Sequence, residues 1–364
     1  MLPTPGASGP KPGRDPIVVL AADDNFAMPL AVTIRSAVEN LAPDRTLRIY
    51  VLDAGIKEET KSRLVHSWPQ GRYQVEWLKI DARVLAGVPV SGHINLVSYY
   101  RVLIPHALPA ELSRVIYLDA DLVVCADLGR LWDCEFDGQL CLAAQDCAAP
   151  YMDSSQVLAN YPLCASHLGS ARPVPNFREL GLKPDAAYFN AGILLVDLDG
   201  WRRENLSARM LECLDQHRQH VRWWDQYALN VVLAGRWGQL DPRWNQGSHV
   251  FIYPTWEQSP LDRQTFEQMR IDPYIIHYTT RFKPWRPLCP HPLGKLYFEY
   301  LDRTAWAGWR PGRAQVLWAQ LKTTERRMRH GRKWLTSRAR RWFEPSQDRG
   351  MLDQPPATKS TSTQ

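Results

Sequence analysis

The sequence predicts an α/β fold in which a mostly parallel sheet is covered by helices on both faces. Short β-rich segments alternate with segments of helical periodicity along much of the chain, and this alternation is typical of parallel sheets. Two predicted strands end in polar clusters, Asp23-Asp24-Asn25 and Asp119-Ala120-Asp121. Ligands bind beyond the carboxyl ends of the strands in such sheets, so we expect both clusters to line one crevice.

The predicted elements follow one another as apolar runs bounded by turn residues. Strands are predicted over residues 17–22, 46–52, 73–80, 115–124, 140–144 and 193–198. Helices are predicted over residues 28–41, 57–67, 97–104, 204–217 and 225–233. Residues 148–187 contain five prolines and are predicted to form a long loop, which in a compact domain is usually functional or disordered. Residues 241–292 are rich in Trp, Tyr and Pro and are expected to form an irregular cap over the sheet.

The composition is that of a globular protein. The chain has 364 residues, of which 45% are hydrophobic, and this length suits one large domain or two ordinary ones. Residues 1–15 are rich in Pro and Gly without an apolar stretch, which predicts a disordered lead and no secretion signal. No apolar run is long enough to cross a bilayer. The seven cysteines include no C-x-x-C pair, so a reducing cytoplasm is the expected location.

The positive charge is concentrated near the carboxyl end of the chain. Of a net charge of +6, residues 310–341 contribute eleven Lys or Arg and one Glu, which leaves the body of the protein mildly acidic. This distribution favours a dedicated contact with an anionic surface.

An amphipathic helix that includes this basic segment is predicted over residues 306–344, followed by a disordered end over residues 345–364. Its apolar stripe consists of Leu317, Leu321, Met328, Leu335 and Trp342. A helix of this kind lies at the surface of an anionic membrane. The alternatives are a solvated helix packed on the body of the protein and, because basic residues alternate with Trp, a nucleic-acid contact. The acidic body argues against nucleic acid as a partner.

Asp119 and Asp121 are the most informative residues of the chain. Side chains at i and i+2 of an extended segment share one face, so the two carboxylates are expected to converge and to repel each other. A divalent cation would balance their charge, and an added imidazole would favour Mn²⁺ over Mg²⁺ or Ca²⁺. The alternative for an isolated Asp-x-Asp is a turn cap beside an Asp that pairs with Arg.

Seven short motifs occur in the order seen in glycosyltransferase family 8, and the chain resembles that family over about residues 16–300. The resemblance is nearest to bacterial lipopolysaccharide α-galactosyl- and α-glucosyltransferases, with glycogenins more distant. The motifs are AADDNF at residues 21–26, VLDAGI at 51–56, YYR at 99–101, YLDAD at 117–121, YFNAG at 188–192, DQ at 225–226, and HY at 277–278 through KPW at 283–285.

The resemblance implies the GT-A fold, a nucleotide-sugar-binding α/β domain, here over residues 16–305. It implies transfer of a hexose from a UDP-sugar with retention of anomeric configuration, with Mn²⁺ on the diphosphate held by Asp119, Asp121 and His277. His277 alone would more often be a buried or surface histidine without a ligand role. Lys283 resembles the family's diphosphate lysine and would otherwise be a solvated surface lysine. The usual Gly three residues earlier is Thr280 in this chain, which fits badly if the backbone there needs a positive φ.

The remaining site residues are likewise implied by the resemblance, and some of them have a second, structural interpretation. Asp23 and Asn25 match the uridine-binding pair or cap a helix, and Arg101 lies near the donor sugar or pairs with an Asp at the sheet end. Donor contacts are implied for Asp119, Ala120, Asp146, Asn190 and Ala191, although Asn190 also fits a tight turn. Gln226 matches the position nearest the reacting face and Asp225 is the local carboxylate, whereas His93 matches the acceptor side or is a surface histidine.

The expected function is a retaining hexosyltransferase that uses UDP-galactose or UDP-glucose and acts on a cell-envelope glycan. Mn²⁺ is the expected cofactor, with Mg²⁺ as the alternative, and the expected location is the cytoplasm, peripheral on the inner face of the membrane. An amide is a poor nucleophile, so same-face attack beside Gln226 is favoured over a covalent glycosyl enzyme. The alternatives are a glycogenin-like initiator that glucosylates itself and a non-catalytic nucleotide-sugar-binding protein.

Overall fold

The protein is described from a computed structural model that covers residues 13–89, 96–312, 314–318 and 322. His93 and most of the predicted basic helix lie outside the described residues. The chain divides into two compact units, Met1–Arg310 and Pro311–Gln364. In the second unit residues 314–318 are helical, and the side chains of Leu317 and Trp318 are exposed.

The strands of the first unit form one large and one small sheet. They are β1 (Ile17–Ala22), β2 (Leu47–Asp53), β3 (Tyr73–Lys79), β4 (Arg114–Leu118), β5 (Leu122–Val124), β6 (Cys141–Gln145), β7 (Phe189–Asp197), β8 (Trp237–Gln239), β9 (Gln246–Gly247) and β10 (Ile275–His277). Within the described residues, the large sheet has the order β3-β2-β1-β4-β7-β6-β8 and the small sheet the order β5-β10-β9.

The large sheet is mixed, and this arrangement brings several loop residues to one edge. Strand β7 runs antiparallel to its neighbours β4 and β6, whereas the other described pairs of this sheet are parallel. The amino end of β7 therefore lies at the same edge as the carboxyl ends of β1, β4 and β6. Residues that follow β1, β4 and β6, and residues that begin β7, meet at this edge.

The α-helices pack on both faces of the large sheet or extend from its edge. They are α1 (Ala27–Glu39), α2 (Glu58–His66), α3 (Ile104–Ala107), α4 (Leu128–Trp132), α5 (Ser154–Val157), α6 (Tyr161–Cys164), α7 (Leu198–Arg203), α8 (Leu206–Gln216), α9 (Trp224–Val232), α10 (Arg263–Ile271) and α11 (Gly294–Leu301). Turns of 3₁₀ helix cover residues Asp24–Phe26, Ala82–Leu85, Leu96–Leu103, Arg218–His220, Pro242–Asn245 and Ser248–Phe251.

The core forms where the central strands are covered on both faces. Five of the six residues of β1 are buried, as are seven of the nine residues of β7. Strands buried on both faces read as continuous apolar runs instead of alternating ones, which is the pattern that these segments show. The prediction of an α/β sheet covered by helices is confirmed.

One predicted element was wrong in a way that matters for the site. Residues 115–124 do not form one strand, because the chain bends at residues 119–121 and divides the segment into β4 and β5. Strand β4 belongs to the large sheet and β5 to the small one. The two aspartates therefore lie in a turn between two sheets and not on one face of a strand.

Other differences concern short elements and helix types. The predicted helix over residues 97–104 is a 3₁₀ turn, Leu96–Leu103, followed by α3. The predicted helix over residues 204–217 is α8, and the short helix α7, which precedes it, was not predicted. The expected irregular cap contains β9, β10 and α10. No helix within the described residues is long and apolar enough to span a membrane.

Candidate functional site

A cleft of about 490 Å³ opens at the edge where the strand ends meet. Asp23 after β1, Asp119 after β4 and Asp146 after β6 line it together with Asn190 at the start of β7. Further lining residues come from strands, from helix starts and from the loops around the small sheet. They are Arg101, Tyr117, Ala120, Asp121, Gly192, Trp223, Trp224, Asp225, Gln226, Asn245, His277, Thr280 and Lys283.

Helix α1 stabilises the turn that carries the two aspartates. The buried hydroxyl of Thr33 lies 3.0 Å from the carbonyl oxygens of Ala120 and Leu122, which share its one proton, and it accepts from the Leu122 amide at 3.2 Å. The Asp119 amide donates to the carbonyl of Gly192 at 2.8 Å. These hydrogen bonds satisfy buried backbone groups of the turn and therefore stabilise the conformation that brings the two aspartates together.

Asp119, Asp121 and His277 form the acidic end of the cleft. His277 Nε2 lies 3.3 Å from Asp121 Oδ1 and 3.6 Å from Asp119 Oδ2. Strand register explains the approach, since His277 on β10 is paired with Leu122 on β5, next to Asp121. The ligand atoms of the three residues lie within 4.8 Å of one another, so these residues can hold one metal ion.

The donor set of the acidic end fits a divalent cation. Asp121 Oδ1 is buried and has no hydrogen-bond partner among the residues that the structure describes, which is costly for a carboxylate oxygen unless a cation binds it. Two carboxylates and one imidazole are a suitable ligand set for a divalent metal ion.

Gly192 gives the acidic end the space that it needs. A methyl group at this position would overlap the ring of His277 and lie 2.9 Å from Asp119 Oδ2. The Gly192 backbone has no positive φ, so its glycine is required by the close approach of these two side chains and not by backbone conformation. The glycine of the sequence motif YFNAG thus has a direct steric explanation.

Two basic side chains balance the acidic end. Arg101 donates to Asp119 Oδ1 at 2.8 Å from beneath the turn, and the Lys283 ammonium contacts Asp121 Oδ2 and the carbonyl of Tyr278. Burial alone would raise the pKa of Asp121, but the ammonium charge of Lys283 and the neighbouring His277 ring outweigh it and hold that pKa well below its usual range. Asp121 is therefore ionised at neutral pH and ready to bind a cation.

Arg101 also reaches a second carboxylate at the far side of the cleft. Its Nε lies 2.8 Å from Asp225 Oδ2, while the Nε–H is directed to the carbonyl of Ser98. Burial raises the pKa of Asp225 to about 6, although Arg101 opposes this increase. Arg101 thus links the acidic end to the start of helix α9.

Asp146, Asn190 and Gln226 form the amide end of the cleft. Asp146 Oδ2 accepts from Asn190 Nδ2 at 3.1 Å and from Gln226 Nε2 at 3.0 Å. The side-chain oxygen of Gln226, Oε1, accepts from the backbone amide of Ala191 at 3.0 Å. Short polar side chains held this way present fixed donors and acceptors to a polar ligand.

The predicted uridine pair is divided between the cleft and the surface. Asp23 lines the cleft and caps the 3₁₀ turn Asp24–Phe26 by accepting from the Phe26 amide at 3.1 Å. Asn25 is exposed and does not line the cleft, although its Nδ2 lies 3.5 Å from Asp23 Oδ2. The capping alternative is therefore observed for Asp23, together with its position in the cleft.

Thr280 does not strain the backbone as the sequence suggested. Its φ is not positive, and its hydroxyl accepts from the Phe282 amide at 3.2 Å. The turn that carries Lys283 therefore accommodates Thr in place of the usual Gly. Lys283 reaches the acidic end from this turn with only a small exposed fraction of its side chain, 11%.

The structure also adds cleft residues that the sequence interpretation missed. Trp223 and Trp224 have left-handed backbone conformations, with φ of 55° and 52°, directly before Asp225 and Gln226. Asn245 contacts both His277 and Asn190. The tandem tryptophans next to the DQ motif were a visible signal, whereas Asn245 is a single amide in a segment without periodicity and gave none.

Comparison with known sequences identifies relatives over most of the chain. The profile of the family described as Glycosyl transferase family 8 matches residues 17–289. General stress protein A of Bacillus subtilis is 29% identical, over 79% of this chain and 94% of that protein. The lipopolysaccharide 1,3-galactosyltransferase of Salmonella typhimurium is 23% identical, over 80% of this chain and 79% of that protein.

Comparison with solved structures gives the same fold. The galactosyltransferase LgtC, crystallised with donor and acceptor sugar analogs, aligns with a TM-score of 0.65 and 24% identity, over 79% of this chain and 96% of its own. The bifunctional glycosyltransferase WbbM aligns with a TM-score of 0.63 and 23% identity, over 83% of this chain and 52% of its own. The mixed sheet and its flanking helices are thus those of the GT-A fold.

Proposed function

The chain belongs to glycosyltransferase family 8, and from that premise we propose that it is a retaining hexosyltransferase that transfers galactose or glucose from a UDP-sugar to a cell-envelope glycan. The acceptor would be a lipopolysaccharide or a lipid-linked oligosaccharide, as the name of the Salmonella relative suggests for that protein. The observation that carries the proposal is the meeting of the acidic end and the amide end in one cleft.

We assign the diphosphate of the donor to the acidic end. Asp119, Asp121 and His277 would hold Mn²⁺, which would stabilise negative charge on the leaving diphosphate as a Lewis acid. Lys283 is a compact cation that already faces Asp121, and a phosphate oxygen is the anion to which it is suited. Asp23 would bind the uridine from within the cleft, and Asn25, whose Nδ2 lies 3.5 Å from Asp23 Oδ2, would contact it from the protein surface. The backbone at Ala120 would lie along the ribose.

We assign the hexose to the amide end. Asp146, Asn190 and the backbone of Ala191 would bind the sugar hydroxyls, and Arg101 would lie between sugar and diphosphate. Galactose and glucose differ in the orientation of one hydroxyl. The Asp146 carboxylate is the group best placed to distinguish them, because it accepts hydrogen bonds from both Asn190 and Gln226 and could accept one from a sugar hydroxyl instead.

Same-face attack fits this arrangement better than a covalent intermediate on Asp225. The Asp225 carboxylate lies 2.8 Å from Arg101 and is almost fully buried, so attack at carbon would require breaking its contact with Arg101. Gln226 is anchored by Asp146 and Ala191 and would steady positive charge at the anomeric carbon. The acceptor proton would pass to the leaving phosphate oxygen on the same face.

We place the acceptor sugar against Trp223 and Trp224. Both line the cleft beside Gln226, and their left-handed backbone costs about 1–3 kcal/mol each, which persists mainly at functional positions. Aromatic faces are suitable surfaces for a sugar ring. His93, the acceptor residue expected from the family, lies outside the described residues.

The carboxyl-terminal segment would bring the enzyme to its acceptor. Its eleven basic residues and the exposed Leu317 and Trp318 suit an anionic membrane surface. We therefore propose a cytoplasmic enzyme that acts at the inner face of the membrane.

The test is release of UDP from a panel of UDP-sugars, with and without Mn²⁺, by the wild type and by Asp121→Ala. The proposal predicts slow hydrolysis of one UDP-hexose that requires both the metal and Asp121. Absence of turnover together with absence of metal-dependent UDP binding would refute it. Mg²⁺ is tested in parallel, and purification of the protein with a covalent oligoglucose would instead indicate a self-glucosylating initiator.

A further inference from the structure

We propose that Asn245 is a positioning residue that couples the two ends of the cleft. One side of its amide fixes the ring of His277 for the metal, and the other side holds Asn190 for the donor sugar. The inference rests on the proposed function, because it assigns to one buried side chain a joint effect on metal affinity and on sugar recognition.

The backbone places Asn245 beside His277. Asn245 ends the 3₁₀ turn Pro242–Asn245 and directly precedes β9, which pairs in parallel with β10 so that Gly247 lies opposite His277. Only 4% of Asn245 is exposed. A buried amide at this position must satisfy its hydrogen bonds within the protein, and it does so with the two ends of the cleft.

The first bond sets the tautomer of His277. Asn245 Oδ1 lies 2.9 Å from His277 Nδ1, and an amide oxygen only accepts, so Nδ1 carries the proton. The neutral ring then has its lone pair on Nε2, the atom that faces Asp119 and Asp121. This is the orientation in which histidine binds a metal.

The second bond fixes the amide itself. Asn245 Nδ2 donates to Asn190 Oδ1 at 3.0 Å, and that oxygen also accepts from the Gly192 amide at 3.0 Å. If the Asn245 amide were turned over, its oxygen would face the oxygen of Asn190. The orientation is therefore determined from both sides.

The bonds continue through the amide end of the cleft. Asn190 Nδ2 donates to Asp146, and Asp146 also accepts from Gln226. The series His277, Asn245, Asn190, Asp146 and Gln226 thus joins the metal end to the residue assigned to the reacting face. Such networks polarise and orient their members together, so a change at Asn245 is expected to affect both ends.

Two substitutions separate the two bonds. In Asn245→Leu the new side chain has nearly the same shape as Asn and makes neither hydrogen bond. In Asn245→Asp the carboxylate can still accept the Nδ1 proton of His277 but has no N–H to donate to Asn190. Mn²⁺ binding is measured by electron paramagnetic resonance without nucleotide. The ratio of the dissociation constants of UDP and UDP-hexose is then measured by calorimetry in saturating Mn²⁺.

We expect Asn245→Leu to weaken Mn²⁺ binding by about 10–100-fold, the usual effect of removing a residue that orients a metal ligand, and to lose the preference for UDP-hexose over UDP. Asn245→Asp should restore Mn²⁺ affinity to nearly that of the wild type while the preference stays lost. Asn176→Leu is the matched control, because Asn176 is also a buried amide, accepts from Tyr227 and does not line the cleft.

The outcomes distinguish this inference from the function on which it rests. If the wild type binds Mn²⁺ through Asp121 and a folded Asn245→Leu binds it equally well, the coupling role is refuted and the function stands. The same conclusion follows if Asn245→Asp fails to restore Mn²⁺ affinity, or if Asn176→Leu lowers it as much as Asn245→Leu. If the wild type binds neither Mn²⁺ nor UDP-hexose, both proposals fail.

Discussion

The acidic end and the amide end of the cleft balance their polar groups in opposite ways. At the acidic end, Asp119 and Asp121 are balanced by the full charges of Arg101 and Lys283. Within the described part of the chain, one carboxylate oxygen of Asp121 has no hydrogen-bond partner. At the amide end a single carboxylate, Asp146, accepts from two neutral amides.

This difference indicates what each end gains from a ligand. Ion pairs in a buried site are strong only while both partners remain, and removal of one leaves an uncompensated charge. A network of neutral hydrogen bonds can exchange one partner for a sugar hydroxyl at little cost. The acidic end is therefore expected to govern affinity, and the amide end to govern discrimination and rate.

The largest effect is expected at the acidic end from Lys283→Met. Loss of the ammonium leaves the buried Asp121 carboxylate without its strongest partner, so the metal-free protein should lose about 3 kcal/mol of unfolding free energy. Added Mn²⁺ should restore most of this loss by replacing the charge. Urea denaturation with chelator and with saturating Mn²⁺ measures both values.

Lys295→Met is the control, because the side chain of Lys295 is 89% exposed and pairs only loosely with Glu299. A loss of stability in Lys283→Met that persists unchanged in Mn²⁺ would contradict the view that charge balance dominates this end of the cleft.

The second largest effect is expected from Gly192→Ala. An alanine is compatible with the backbone of strand β7 at this position, but its methyl group would clash with side chains of the acidic end. The added methyl would displace His277 and Asp119, and overpacking of this kind costs about 1–3 kcal/mol. Mn²⁺ affinity should fall by up to about a hundredfold, while helix and strand content by circular dichroism stay the same.

Gly294→Ala is the control, since a methyl group there meets no atom within 4 Å. Undiminished Mn²⁺ binding by Gly192→Ala would mean that the side chains of His277 and Asp119 need not lie so close to position 192 to bind the metal.

A smaller effect, and one on rate alone, is expected at the amide end from Gln226→Ala. Turnover should fall roughly tenfold to a hundredfold, because a preorganised dipole near the reacting carbon is lost. The dissociation constant of UDP should not change, since no ion pair is broken. Steady-state kinetics and UDP titration separate the two quantities, with Gln239→Ala on the exposed side of β8 as control. Weaker UDP binding without slower turnover would reverse the assignment of the two ends.

The smallest effect is expected on the pH dependence of stability, and it comes from Asp225, the carboxylate that Arg101 links to the acidic end. The pKa of Asp225 is raised by burial to about 6 from 3.8, so between these values the folded state binds more protons than the unfolded state. Its contribution to stability is present at low pH and is lost as the pH rises through 6. From pH 5 to pH 7.5 the wild type should lose roughly 1.5 kcal/mol relative to Asp225→Asn.

Denaturation of both proteins at the two pH values measures this difference. A difference of the opposite sign would mean that Arg101 holds Asp225 ionised in the folded protein.

The two ends of the cleft also differ in how well the sequence predicted them. The acidic cluster after β4 and the polar residues after β1 could be placed at one sheet edge, because parallel strands end together. The bend at residues 119–121 could not be predicted, because the apolar run over residues 115–124 gives no sign that its second half belongs to another sheet.

Contacts between distant segments explain most of what was missed. Strand β10 has three residues, too few for a periodic pattern, and its pairing with β5 decides where His277 lies. Asn245 is placed by the register of β9 against β10. The resemblance to a family supplied the identity of His277, but the hydrogen bonds that orient it required the structure.

The pairing of β5 with β10 has a further consequence for the chain as a polymer. A cation held by Asp119, Asp121 and His277 would act as a cross-link between segments far apart in sequence, and closing so long a loop removes conformational entropy from the unfolded chain. All seven cysteines are free thiols, so no disulfide provides such a constraint. Metal binding would be the counterpart of a disulfide in this protein, and one that is made and broken by ligand concentration instead of by oxidation.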